Sequence, residues 1–273
     1  MDMNDVSSRG LVLLGCGKMG SAMLEGWLGQ GLPPASVWVK DPKPSDWLKG
    51  LEGQGLHLNA DLPEDPAIVL VAVKPQMMEE ALPVLAPLGN GQTLFVSVAA
   101  GTPISFYERV LGADTPIIRA MPNTPAAVGR GITSLIGNPH AGEDRMKLAE
   151  ALLSAVGQTV RLENEAQMDA VTAVSGSGPA YVFHLIETLA AAGEAQGLAP
   201  ELAMKLAKAT VGGAGQLAED SPEDPAQLRV NVTSPGGTTA AALEVLMDER
   251  TGFPDLLKRA VAAAAERSRE LGK

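Results

Sequence analysis

The first part of the chain alternates short apolar runs with stretches of helical spacing. Gly10-Leu-Val-Leu-Leu-Gly15 reads as a strand buried on both faces, because no polar residue interrupts it. Residues 18–29 follow with Met19, Met23 and Trp27 four apart, the spacing of one helix face. Ser36-Val-Trp-Val-Lys40 is a second strand, and Pro42 and Pro44 break regular structure before a short helix. A short strand is expected near 56–58, a strong apolar one over 67–73, and a helix over 76–85. Strands over 93–98, 116–121, 131–137 and 159–162 follow, with a helix over 141–156 before the last. This alternation implies an α/β fold, a doubly wound parallel sheet with helices on both faces.

Beyond residue 163 the pattern changes to Ala-rich segments of helical period, at 164–174, 179–196, 200–219, 236–248 and 253–271. Gly197-Leu-Ala-Pro200 and Ser221-Pro-Glu-Asp-Pro225 punctuate them. The expected organisation is a dinucleotide-type α/β domain over 1–162 and an all-helical domain over 163–273.

Composition sharpens this picture. With only 3% aromatic residues, both cores must be built from Ala, Leu, Val, Ile and Met. An Ala-rich helical array supplies little buried area per residue, so a homodimer through the second domain is expected to compensate. The net charge is −11 and no Lys/Arg run exists, which argues against nucleic acid as a main partner and against anionic membranes. A single cysteine excludes an internal disulfide, and no His/Cys cluster suggests a metal. No apolar run reaches the roughly 18 residues of a membrane span. The polar residues 1–9 do not read as a signal peptide, so a cytoplasmic protein is expected.

Gly15-Cys-Gly-Lys-Met-Gly20 fits GxGxxG between a strand and a helix, the context that dinucleotide binding requires. Gly15 permits the tight turn, Gly17 lets a pyrophosphate approach, and Gly20 lets the helix pack on the sheet. Cys16, Lys18 and Met19 complete the loop. Cys16 is either a thiol activated by the helix N-terminus or a small side chain that fits. Asp41 ends the second strand, where an acid accepts from the adenosine ribose, while Lys40 and Lys43 beside it suit a 2′-phosphate. NADH and NADPH therefore both remain open. Lys74 ends the third strand, on the side where such sheets bind ligands. Pro75 suits the first turn of the next helix. Asn59 is either a ribose or adenine contact or an ordinary turn residue. The small residues of Val98-Ala-Ala-Gly101 leave room for a nicotinamide.

A second glycine-rich stretch, Val232-Thr-Ser-Pro-Gly-Gly-Thr-Thr239, precedes a helix. Ser234, the Gly236 and Gly237 backbone, Thr238 and Thr239 make a neutral, donor-rich turn at a helix start, which suits a carboxylate. The competing reading is an elaborate N-cap. Ser175-Gly-Ser-Gly-Pro-Ala-Tyr181 reads as packing.

Together these motifs resemble those of the pyrroline-5-carboxylate reductase family from about Leu11 to Leu271. The most specific piece is Gln227-Leu-Arg-Val-Asn-Val-Thr-Ser-Pro-Gly-Gly-Thr-Thr-Ala with Leu246-Met-Asp248 beyond it. Ala72-Val-Lys-Pro75 and Arg119-Ala-Met-Pro-Asn-Thr-Pro125 support it in the right order. The resemblance implies a Rossmann-like N-terminal domain, a helical C-terminal domain that interlocks with a partner subunit, and reduction of 1-pyrroline-5-carboxylate to L-proline with NADPH or NADH. It implies cofactor contacts at the Gly15–Gly20 loop, Asn59, Ala72, Val73, Lys74, Ala99 and Ala100, with Asn231 near the nicotinamide. It places Glu165, Gly237, Thr238 and Thr239 around the substrate.

The expected mechanism is hydride transfer to the ring imine, with the substrate carboxylate on the 234–239 turn and Thr239 hydrogen-bonded to the ring nitrogen. Two other readings are a β-hydroxyacid dehydrogenase and a non-catalytic nucleotide sensor. The first needs a Lys base on the first long helix of the second domain, and residues 163–199 contain no Lys. The second has no need of the Ser-Pro-Gly-Gly-Thr-Thr turn.

Overall fold

The computed structural model describes residues 3–272. The chain divides into two compact units. One runs to Gly176 and takes in the chain from Ala265 onward; the other is Ser177–Ala264. The change of period at 162/163 thus falls inside the first unit. Residues 163–176 and the end of the last helix belong with the sheet.

The first unit opens with helix α1 (Met3–Arg9) and strand β1 (Leu11–Leu14), followed by α2 (Lys18–Gly29) and β2 (Val37–Lys40). Next come α3 (Asp46–Gly50), β3 (His57–Leu58), β4 (Ile68–Val71), α4 (Met78–Ala81), β5 (Leu94–Ser97) and α5 (Ile104–Leu111). Then follow β6 (Ile117–Met121), β7 (Gly131–Gly137), α6 (Gly142–Leu153), β8 (Gly157–Arg161) and α7 (Met168–Val171). The eight strands form one sheet in the order β3-β2-β1-β4-β5-β6-β7-β8. The order reverses between β1 and β4, the switch point beyond which doubly wound sheets bind ligands.

Every neighbouring pair is parallel except β6 and β7. The all-parallel expectation fails there because only the short link 122–130, which holds the 3₁₀ turn Thr124–Val128, joins those two strands. A parallel return needs a crossover of about a dozen residues or more. The helix expected over 76–85 is likewise broken. Pro83 and Pro87 withhold backbone donors, so α4 is one turn flanked by 3₁₀ segments.

Alternation along the strands divides the core. Leu11 and Leu13 pack on one side of the sheet with Met23, Leu24 and Trp27; Val12 and Leu14 pack on the other with Met78, Leu82 and Tyr107. Trp27 Nε1 donates to the Leu152 carbonyl at 2.9 Å, so the largest side chain of α2 leaves no buried donor unpaired.

The second unit holds α8 (Gly178–Ala195), α9 (Pro200–Asp220), α10 (Pro225–Asn231), α11 (Thr238–Leu246) and the first part of α12 (Phe253–Leu271). Its buried cluster is small: Ala190, Ala203 and Ala207, with Ile186 and Met204 against them. Phe183, Leu189, Leu206 and Leu217 are exposed in the single chain. No helix among the described residues is long and apolar enough to cross a membrane.

Candidate active site

The β1–α2 loop is shaped by what its glycines exclude. Gly15 sits at φ +88°, and a Cβ there would lie 3.0 Å from the Ala72 backbone and 2.9 Å from Val73. A Cβ on Gly20 would lie 2.4 Å from the Gly15 carbonyl oxygen. Gly17 is different: nothing lies within 4 Å of the position its Cβ would take. Two glycines close the loop on the sheet and the third leaves open space, as a pyrophosphate at the start of α2 requires. Lys18 lies exposed in the first turn of α2, while Met19 packs partly on the core.

Cys16 is buried. Burial first, then the charges of Asp41 and Glu25, push its thiol up from 9.0 to about 12. Burial and the neighbouring carboxylates thus oppose activation of the thiol and favour the reading of Cys16 as a small side chain that fits.

Asp41 is the organising residue beside the loop. Its Oδ2 accepts from the Cys16 N–H at 2.7 Å and its Oδ1 from the Lys43 N–H at 2.8 Å. Asn59 grips the Asp41 backbone from both sides, accepting its N–H at 3.0 Å and donating to its carbonyl at 2.9 Å. Asn59 itself is left-handed, φ +54°, a conformation that Asn tolerates better than most residues. Lys40 Nζ donates to the Asn59 carbonyl at 3.2 Å. Lys40, Asp41 and Asn59 border a cleft of about 300 Å³ at the ends of β1, β2 and β4, with Leu14, Val73 and Glu80 also in its wall. Glu80 carries no motif and was invisible to sequence reading; only the packing of α4 brings it there.

Ala72 donates its N–H to the Leu14 carbonyl at 2.8 Å, and Lys74 is exposed just before the turn that Pro75 opens. Beyond β5, Ala99 is buried and its N–H donates to Ser97 Oγ, which also bonds the Tyr107 hydroxyl. Ala100, next to it, is half-buried. Glu165 Oε1 accepts from the Ile104 N–H at 2.9 Å and from Arg119 at 2.8 Å. It thereby caps α5 and neutralises a buried guanidinium, a partnership that sequence reading had not seen. Ser175 belongs to the stretch that the sequence assigns to packing. It lies in a π-helical turn, Thr172–Gly176, and its buried hydroxyl has no hydrogen-bond partner among the described residues.

In the second unit, Gly237 is the N-cap of α11, and no side chain bonds there as a cap. The N-cap reading of Ser234, Thr238 and Thr239 thus lacks its defining bond. Gly236 is left-handed at φ +70°, and the Gly237 N–H closes the turn on the Ser234 carbonyl at 3.0 Å. Thr239 is half-buried. Asn231 ends α10 with its amide between Glu223 and Gln227. Among the described residues no cluster of His, Cys, Asp or Glu is arranged to hold a metal ion.

Comparison with known proteins agrees with this layout. Residues 165–271 match the pyrroline-5-carboxylate reductase dimerisation model, and residues 11–101 match the model for coenzyme F420-dependent NADP oxidoreductase. A pyrroline-5-carboxylate reductase of Pseudomonas aeruginosa is 40% identical over 98% of both chains. One from Mycobacterium tuberculosis is 38% identical over 96% of both. The solved structure of the Coxiella burnetii pyrroline-5-carboxylate reductase matches with a TM-score of 0.90 at 35% identity, over 97% of this chain and 99% of that one. The Plasmodium falciparum pyrroline carboxylate reductase, solved with NADP bound, matches with a TM-score of 0.83 at 30% identity, over 98% of this chain and 99% of that one. With such identity sustained from end to end, the chain belongs to the pyrroline-5-carboxylate reductase family.

Proposed function

We propose that the chain performs its family's reaction, the NAD(P)H-dependent reduction of the C=N bond of 1-pyrroline-5-carboxylate to L-proline, the last step of proline synthesis. The observation that carries the coenzyme half of this reading is the open space at Gly17 beside two glycines that admit no side chain. The N–H groups at the start of α2 hold the pyrophosphate, and Asp41, oriented by Asn59, takes the adenosine ribose. Ala72, Val73 and Lys74 edge the coenzyme from β4. Ala99 and Ala100 leave room for the nicotinamide, and Asn231 is a further group assigned to it. When bound, NAD(P)H supplies the hydride that reduces the imine.

The turn in the second unit does the anion work. Ser234 and the backbone N–H groups of Gly236, Thr238 and Thr239 hold the substrate carboxylate without a cation, because several donors and the dipole of α11 converge there. Thr239 Oγ1 accepts from the N–H of the protonated ring imine and orients it, and Glu165 is a further substrate-side group. A protonated imine is already electrophilic, so the chain needs no strong general acid. Positioning of this kind is worth up to about 7–11 kcal/mol. The functional form is a homodimer, or a larger assembly of dimers, joined through 165–271.

The test is loss of nicotinamide absorbance when the full chain is mixed with pyrroline-5-carboxylate and either NADH or NADPH. No oxidation with either coenzyme overturns the proposal. Thr239→Ala is expected to lower turnover at least about tenfold while leaving coenzyme affinity within about twofold. An unchanged rate removes Thr239 from the mechanism.

A further inference from the structure

We infer that Asp41 makes this enzyme select NADH over NADPH, by fixing a negative charge at the ribose end of the coenzyme cleft. The inference rests on the assignment of that cleft to the adenosine half of the coenzyme. Its force comes from how firmly the carboxylate is held. One oxygen takes the Cys16 N–H and the other the Lys43 N–H, while Asn59 fixes the Asp41 backbone at both its donor and its acceptor. An acid on a free side chain can swing aside for an incoming phosphate. Asp41 can do so only by leaving the Cys16 N–H, in the glycine loop itself, without its acceptor.

The surrounding charges point the same way. Among the described residues, the charged ones in the wall of the cleft are Lys40, Asp41 and Glu80, one cation against two anions, with the exposed Lys43 just outside it on the Asp41 turn. The 2′-phosphate that distinguishes NADPH brings roughly two further negative charges at neutral pH. Lys40, in the cleft wall, already has its ammonium on the Asn59 carbonyl. Among the described residues no arginine borders the cleft to grip a phosphate with two parallel hydrogen bonds. The ribose hydroxyls of NADH meet no such obstacle. A carboxylate offers about four acceptor positions, and the two backbone N–H groups leave room for a hydroxyl donor.

The experiment measures dissociation constants of NADH and NADPH by nicotinamide fluorescence, on the full-length chain without imine. NADH is expected to bind at least about tenfold more tightly, and the gap to narrow as salt screens the charge. Asp41→Asn removes the charge but keeps an oxygen at the same reach for the Cys16 N–H, and Asp41→Ser removes the charge and shortens that reach. Each is expected to bring the ratio of the two constants to about one or to invert it. Glu80→Gln, on an exposed side chain, is expected to tighten NADPH about two- to threefold, more than NADH. A wild-type chain that binds NADPH as tightly as NADH overturns the inference, and so does a ratio unmoved in Asp41→Asn. Should Asp41→Ser fail to fold, the wild-type ratio and Asp41→Asn still decide. Imine turnover, measured separately with both coenzymes, keeps the two questions apart. Its absence overturns the reductase reading, while turnover that is faster and tighter with NADPH overturns only the selectivity.

Discussion

Cys16 stands where a helix N-terminus ordinarily lowers a thiol pKa, yet burial and the Asp41 carboxylate prevail over the dipole. The consequence is chemical silence. Alkylating reagents at neutral pH are expected to leave Cys16 unmodified in the folded chain and to label it after denaturation; rapid labelling of the native protein contradicts this. The pH dependence has a definite sign. The folded state holds the thiol proton to about pH 12, whereas the unfolded chain releases it near 9.0. Stability from this site is therefore complete below pH 9 and declines as pH rises towards 12. Cys16→Ala should flatten that decline in urea melts taken across the alkaline range. The neighbouring Asn59 shows what single residues conceal. Its type suggests a turn or a ligand contact, but its amide is spent on the Asp41 backbone.

The β1–α2 unit separates folding from binding more cleanly than any one side chain. Gly20→Ala drives a Cβ onto the Gly15 carbonyl, and backbone cannot give way as a flexible side chain does. It is expected to cost about 1–3 kcal/mol of stability, read from urea denaturation. Gly17→Ala meets no atom, and its φ of −71° suits any residue, so stability should move by less than about 0.5 kcal/mol. Coenzyme affinity should nevertheless fall about tenfold or more, because the methyl fills the space left for the pyrophosphate. Equal stability with equal affinity for Gly17→Ala would remove the loop from the coenzyme site. Other elements were legible to different degrees. Strands β1 and β4 announced themselves as uninterrupted apolar runs. The reversal at β7 did not, since strand direction depends on what the connection can span, and residues 122–130 are too few for a crossover.

The two units rest on unequal cores, and assembly follows from that inequality. The sheet is filled on both faces, whereas the helical unit buries three alanines and leaves Phe183 58% and Leu206 48% exposed in the single chain. Apolar area of this kind, in a segment that matches a dimerisation model, is stabilised by a second copy. Sedimentation at micromolar concentration is expected to give a dimer or a multiple of one. Phe183→Glu combined with Leu206→Glu should shift it to monomer, and a wild-type chain that sediments as monomer rejects the proposal.

The coenzyme loop, the alternating strands and helices, and the glycine-rich turn before α11 are local patterns, set by residue types at fixed spacing, and so could be read along the chain. Contacts across the chain could not. Asp41 meeting Cys16, Glu165 meeting Arg119, Glu80 entering the cleft and residues 163–176 joining the sheet all pair segments far apart in sequence. Spacing constrains which face a side chain takes, but only the packing of distant segments selects the group it meets there.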